Sequence, residues 1–159
     1  MRIAYFKVHK PLAFYAAFLS RKADDFDMEV MSKGVLAKQK LEELSKEPKL
    51  DPKKKNEQAI CEIVVELEAR GIELLPVDIY LSEGRKFKIE DGKIRIPLIG
   101  ISGLGGAVIE NILKEREEAK FISVEDLKRR TKMSQTVADK LKSIGAISSL
   151  SETNQISLF

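Results

Sequence analysis

The 159-residue chain is 43% hydrophobic and 33% charged, lacks Trp, and has a formal net charge of +3. That apolar fraction supports the core of one domain or two small ones, so neither a disordered chain nor a mini-protein held by crosslinks is the default. With a single cysteine, Cys61, and a single histidine, His9, neither an internal disulfide nor a His/Cys zinc site can be assembled.

The charge is unevenly placed. Residues 1 to 84 hold 14 Lys/Arg against 15 Asp/Glu, residues 85 to 145 hold 14 against 9, and the last 14 residues carry only Glu152. The whole positive excess lies in the middle segment, which is where an anionic partner is sought first. No apolar run approaches the roughly 20 residues of a membrane span and no secretory leader is visible, so a soluble, cytoplasmic chain with no membrane partner is expected.

In chain order, residues 2 to 9 read as a helix that starts without a capping residue, as though cut from something larger. Lys10-Pro11 breaks it, and Pro11 suits the first position of a second helix reaching Leu19. Tyr5, Phe6, Phe14, Tyr15 and Phe18 crowd this stretch and predict burial against a core rather than base stacking. Asp24, Asp25 and Asp27 stand at the start of a helix expected over Met28 to Leu44, where acids complement the dipole. With no second acidic cluster, capping is the better reading than a metal site.

Pro48 to Lys55 is a polar interruption, and Lys53, Lys54 and Lys55 read as a solvated helix start. Ile60, Ile63, Val64 and Leu67 then recur at helical spacing, closed by Arg70-Gly71. Cys61, inside this helix, reads as an inert small hydrophobe. Leu74 to Tyr80 predicts an extended segment. Phe87, Ile89, Ile94 and Ile96 alternate with polar residues across Asp91-Gly92, which predicts a β-hairpin that Pro97 ends. Residues 98 to 145 return to helices.

The loop Ile101-Ser102-Gly103-Leu104-Gly105-Gly106 opens one of them. Gly103 and Gly105 are expected to adopt backbone angles closed to other residues, so that amides at the helix start converge on one anion, with Leu104 plugging the loop onto the core. A phosphate is the expected ligand. The Gly-Lys-Ser/Thr ending of a P-loop is absent, and a hairpin rather than a βαβ unit surrounds the glycines, so neither nucleotide fingerprint fits. The pattern instead resembles the helix-hairpin-helix motif of DNA-binding proteins, although Ile109 stands where that family usually has Ala. A second copy lies 29 residues on: Met133 matches Leu104, Ser134 matches Gly105, Ala138 matches Ile109 and Leu141 matches Ile112. Lys132 and Ser134 replace its two glycines, so the second loop is expected to be the weaker anion site.

The end of the chain, Gln155-Ile156-Ser157-Leu158-Phe159, is apolar after a polar linker, as in tethered peptides that dock through a few buried anchors. It resembles the bacterial sliding-clamp binding peptide, in which the glutamine bonds at the rim and the Leu-Phe pair fills a pocket. The aromatic segment at the start, the Gly-Leu-Gly hairpin and this ending, in that order, resemble the C-terminal part of a PolC-type DNA polymerase III α chain.

That resemblance implies a mainly α fold, with distal fingers helices and a connector over 1 to 84, a tandem helix-hairpin-helix duplex-binding module over 85 to 145, and a tail with the clamp-binding peptide over 146 to 159. It implies primer-template double-stranded DNA, the β sliding clamp and the rest of the polymerase chain as partners. Phosphate contacts are expected at Gly103, Leu104, Gly105 and Gly106, and at Lys132, Ser134, Gln135 and Thr136, without sequence specificity. Lys114, Arg116, Arg129 and Arg130 are further cations not placed by the motif. In the family Mg²⁺ and palm carboxylates perform nucleotidyl transfer beside a proofreading exonuclease. Those groups are expected outside these residues, so no catalytic residue, metal ligand or cofactor is assigned here and the isolated chain is expected to be inactive. The competing readings are a stand-alone repair or replication adaptor with a clamp-binding tail, and a small metal-dependent nuclease built on Asp24, Asp25 and Asp27.

Overall fold

A computed structural model describes residues 7–151. Helix α1 (Pro11–Arg21) begins on Pro11, as expected, and buries Tyr15 and Leu19 completely. A 3-10 turn (Ala23–Asp25) leads to the short helix α2 (Met28–Met31), whose cap is Asp27, its carboxylate accepting from the Glu29 amide at 3.0 Å. The single helix expected over Met28 to Leu44 is broken. Ser32 and Lys33 interrupt it, Lys33 being extended at φ −134°, ψ 149°, and helix α3 (Gly34–Ser45) starts afresh. The cause lies far along the chain. Glu68 accepts a hydrogen bond from the Gly34 amide, and a Cβ at Gly34 would stand 2.5 Å from the same carboxylate oxygen. A distant acid therefore caps α3, at a position only glycine can occupy without displacing it.

Glu68 belongs to helix α4 (Pro52–Ala69), the longest of the fold. Asp51 caps its start, accepting from the Lys54 amide at 2.8 Å, and Pro52 occupies the first turn. Its end is closed by Gly71 at φ +81°, with the Gly71 amide on the Glu68 carbonyl and the Ile72 amide on that of Leu67. Ile60, Cys61, Val64 and Leu67 form its buried stripe. Burial pushes the Cys61 thiol up to about 11, which keeps it protonated and unreactive.

Three short strands follow, β1 (Leu74–Leu75), β2 (Lys88–Glu90) and β3 (Lys93–Arg95), in the order β1-β3-β2. The β2–β3 hairpin turns on Asp91 and Gly92 at φ 48° and 77°, the left-handed pair its dipeptide foretold. The extended segment ends earlier than expected. Only Leu74 and Leu75 pair, parallel to β3, and the chain then turns because the Asp78 carboxylate accepts from the amides of Tyr80 (2.8 Å) and Leu81 (3.0 Å). Phe87, Ile94 and Ile96 are buried, whereas Ile89 on the edge strand is 45% exposed. Strand β1 precedes residue 85 and β2 and β3 follow it, so the sheet joins the two segments. The ring of Phe26 packs edge-on against Phe87 at 5.0 Å across the same junction.

After Pro97 a 3-10 turn (Leu98–Gly100) leads to helices α5 (Gly106–Glu118), α6 (Val124–Thr131) and α7 (Gln135–Ser143). The chain is mainly α with a small sheet, and one core runs from Tyr15 to Ile147. Gly100 lets the turn before the glycine loop close onto that core: a Cβ there would meet Ile96 Cγ2 at 2.7 Å and Phe26 Cδ1 at 3.3 Å. Gly100→Ala is expected to cost about 1–3 kcal/mol from overpacking, read as a lower urea midpoint at unchanged m-value. Among the described residues, no helix is long and apolar enough to cross a membrane.

Candidate nucleic-acid interface

The two loops related by the 29-residue shift have the same backbone course. Gly103 is left-handed at φ +88°, and its counterpart Lys132 at φ +63°, ψ 26°. Next comes a plug: Leu104 and Met133 are 6% and 5% exposed. Then Gly105 (φ −74°, ψ 158°) and Ser134 (φ −75°, ψ 162°) each serve as the cap from which a helix starts. Ile109 with Ala138 and Ile112 with Leu141 are buried at matching positions, so Ile109 fits where the motif usually has Ala. Short apolar plugs and matching helix contacts make the chain turn twice in one way.

One expectation is corrected. Gly105 does not hold an unusual backbone angle, and Ser134 adopts almost the same one. What Gly105 provides is room. No atom lies within 4 Å of where its Cβ would be, and no side chain caps the start of α5. The amides of the first turn of α5 therefore open onto solvent at the positive end of the helix dipole. At the second loop the Ser134 hydroxyl accepts from the Val137 amide at 3.3 Å. Gly103, Gly105, Gly106, Lys132, Ser134, Gln135 and Thr136 are all exposed, while Leu104 is the buried plug behind them. The clamp-binding residues Gln155, Ile156, Ser157, Leu158 and Phe159 lie outside the described residues, as do Tyr5 and Phe6.

The unplaced cations divide. Lys114 and Arg129 are exposed. Arg116 is turned inward, donating to the carbonyls of Ser82 (2.6 Å) and Ile79 (3.3 Å). Arg130 is the centre of an internal cluster. Its guanidinium donates to the Glu115 carboxylate (3.0 Å), the Asp126 carboxylate (3.3 Å) and the main-chain oxygens of Glu115 (2.6 Å), Ala119 (3.0 Å) and Lys120 (3.3 Å). It also stacks over Phe121 at 4.6 Å. Burial alone would raise the Asp126 carboxyl; the Ile122 amide and the guanidinium groups of Arg129 and Arg130 outweigh it and hold it below its ordinary range. Arg116 and Arg130 thus shape the surface from within.

The acids at the front serve structure too. Asp24 pairs with Arg85, Asp25 accepts from Asn56 at 2.9 Å, and Asp27 caps α2. Each takes a separate partner, and among the described residues no group of three or more His, Cys, Asp or Glu could hold a metal ion. Among the described residues the Mg²⁺ chemistry implied by the resemblance finds no fitting donor set. Asp24, Asp25 and Asp27 do line a groove with Lys53, Glu57 and Gly103, so the first loop is flanked on one side by negative charge that a phosphate avoids.

Two plugged loops of one design, each opening a helix toward solvent, are what the helix-hairpin-helix family uses, and the family profile described as the helix-hairpin-helix motif matches residues 71–156. The chain belongs to that family. Over its full length it is also similar to part of larger proteins named DNA polymerase III PolC-type: 46% identical to that of Thermotoga petrophila over 99% of this chain, and 43% and 42% identical to those of Clostridium perfringens and Bacillus subtilis over all of it. The chain spans 11–12% of the length of these relatives.

Proposed function

We propose that this chain is the part of a bacterial replicative polymerase that grips duplex DNA through sugar-phosphate contacts and tethers the enzyme to the sliding clamp. The observation that carries the reading is the doubled loop: two outward helix starts with matching backbone angles, in a basic segment of a chain similar throughout to PolC-type polymerases. Amides at Gly105 and Gly106 in the first loop, and at Gln135 and Thr136 in the second, supply directional bonds to phosphate oxygens. Lys132 adds charge. Such contacts read no bases, as suits an enzyme that must hold any sequence.

Catalysis belongs elsewhere in this picture. The parent enzyme performs templated nucleotidyl transfer with Mg²⁺ and proofreads, and this segment holds the product duplex behind that site. The tail adds a second attachment: a clamp-bound peptide raises the local concentration of the enzyme at the primer end without needing tight contacts of its own.

Duplex binding followed against salt tests the first half. If about three phosphates are neutralised, log affinity falls against log salt with a slope near −3, from roughly −0.9 per phosphate. Binding that is undetectable at low salt, or indifferent to it, refutes the reading. For the second half, deleting Gln155 to Phe159 is expected to abolish association with the clamp in a pull-down while duplex affinity changes less than about twofold, since the tail carries no cation. Equal clamp capture by the shortened chain rejects the tether.

A further inference from the structure

The two hairpins hold each other through a reciprocal pair of hydrogen bonds. Lys140, on α7 of the second hairpin, donates from Nζ to the main-chain oxygen of Ser102 at 3.1 Å and to its hydroxyl at 2.6 Å. Asn111, on α5 of the first hairpin, donates from Nδ2 to the main-chain oxygen of Thr131 at 3.0 Å. Ser102 and Thr131 each stand immediately before the left-handed residue of their own loop, Gly103 and Lys132.

All four positions obey the shift that relates the loops: Ser102 corresponds to Thr131 and Asn111 to Lys140, each 29 residues apart. The two contacts are one contact made twice, with the hairpins exchanged. Each second helix reaches across and fixes the peptide unit from which the opposite loop turns. Holding that carbonyl restricts the rotation of the peptide leading into the left-handed residue, and with it the direction of the amides that follow. The residue types differ, amide on one side and ammonium on the other, yet both present a donor to the equivalent main-chain oxygen of the opposite loop.

We propose that Asn111 and Lys140 are positioning residues that set the two phosphate-binding loops at a fixed distance and angle, so that one duplex is engaged by both together. This inference rests on the duplex-binding reading above. Its energetic basis is that the second loop binds a duplex already held by the first, and this intramolecular step weakens when the relation between the loops loosens. Lys140 is further steadied by Glu29 of α2 at 3.4 Å, so the helical first half of the chain buttresses the lock.

Two readouts test it on the whole chain. In the absence of DNA, amide hydrogen exchange is followed in Asn111→Ala and Lys140→Ala. Each variant is expected to speed exchange of the hydrogen-bonded amides in and beside the loop across from it: those of Lys132, Val137 and Ala138 for Asn111→Ala, and those of Leu104 and Ile109 for Lys140→Ala. A uniform rise throughout the protein, or no change in the opposite loop, overturns the lock. The second readout is the salt slope of duplex binding. Asn111→Ala removes no charge, yet it is expected to lose about five- to tenfold in affinity and to make the slope shallower by about one, because one loop disengages. Wild-type affinity and slope in both variants reject the inference while leaving duplex binding standing. If the unaltered protein binds no duplex, the duplex reading fails, and the exchange result alone decides whether the loops are locked.

Discussion

Gly105→Val is expected to weaken duplex binding by about tenfold or more while leaving the melting temperature nearly unchanged. The backbone at Gly105 is ordinary for any residue, and Ser134 already occupies the matching angle with a side chain, so valine costs the fold only the small penalty of an apolar residue at a helix cap. The space in front of it is a different matter. Nothing in the protein lies within 4 Å of the added Cβ, and that space is the approach to the amides of α5. A branched side chain there keeps a phosphate oxygen from closing to hydrogen-bond distance. Hydrogen bonds to a charged group are worth about 1.5–3 kcal/mol, or roughly ten- to a hundredfold in affinity. Gly103→Val is the wrong probe for this purpose, since φ +88° is strained for a β-branched residue and a loss of binding could come from the fold. Fluorescence anisotropy with a labelled duplex, alongside thermal melts, checks the prediction. Wild-type affinity for Gly105→Val would remove the first loop from the interface.

The larger effect on stability is expected from Arg130→Met. The side chain is 15% exposed and gathers the end of α5, the Ala119–Lys120 link and α6 onto one guanidinium. Methionine preserves much of the stem but removes the best-buried cation beside Asp126, whose carboxylate is 2% exposed, leaving it the Ile122 amide and the largely exposed Arg129. A cost of about 2–3 kcal/mol follows from removing one partner of a partly buried charged cluster, or roughly 5–10 °C in melting temperature for a chain of this size. The pH dependence has a definite sign. In the wild type the Asp126 carboxyl lies below its ordinary range, so its contribution is present above the unfolded value near 4 and fades as pH falls through the lower folded value. Without Arg130 burial pulls that carboxyl upward, and the penalty of the variant shrinks as acid neutralises it. Urea titrations at pH 7 and at about pH 3, below the unfolded value, compare the two proteins. A penalty that is the same at both, or greater in acid, would place the stabilisation in the arginine stem rather than its charge.

Much of this arrangement is legible in the order of residues because it depends on near neighbours. Pro11 and Pro52 start helices, Arg70-Gly71 ends one, and Asp91-Gly92 turns a hairpin, each by chemistry contained within a few positions. The repeated loop is legible for a related reason: the plug and the helix contacts recur at one offset, so two weak patterns reinforce each other. What escaped depends on partners distant in sequence. The break at Ser32 and Lys33 exists because Glu68 reaches Gly34, and nothing around residue 34 announces an acid on another helix. Arg116 and Arg130 look like surface cations until the carbonyls that receive them are in place. Asn111 and Lys140 carried a usable signal, since they are related by the same shift as the loops, but unlike residue types conceal the match.

The buried thiol in α4 also makes this chain a convenient instrument. Cys61 is the sole cysteine, fully enclosed and protonated at neutral pH. A thiol reagent meets it only when the packing around α4 opens, so its labelling rate is a clock for that opening. A cysteine introduced at an exposed position away from the phosphate-facing residues, as in Glu125→Cys, would meanwhile take a fluorophore selectively in the native state. One molecule can thus report, through two sulfurs of opposite reactivity, both when its interior parts and when a duplex arrives.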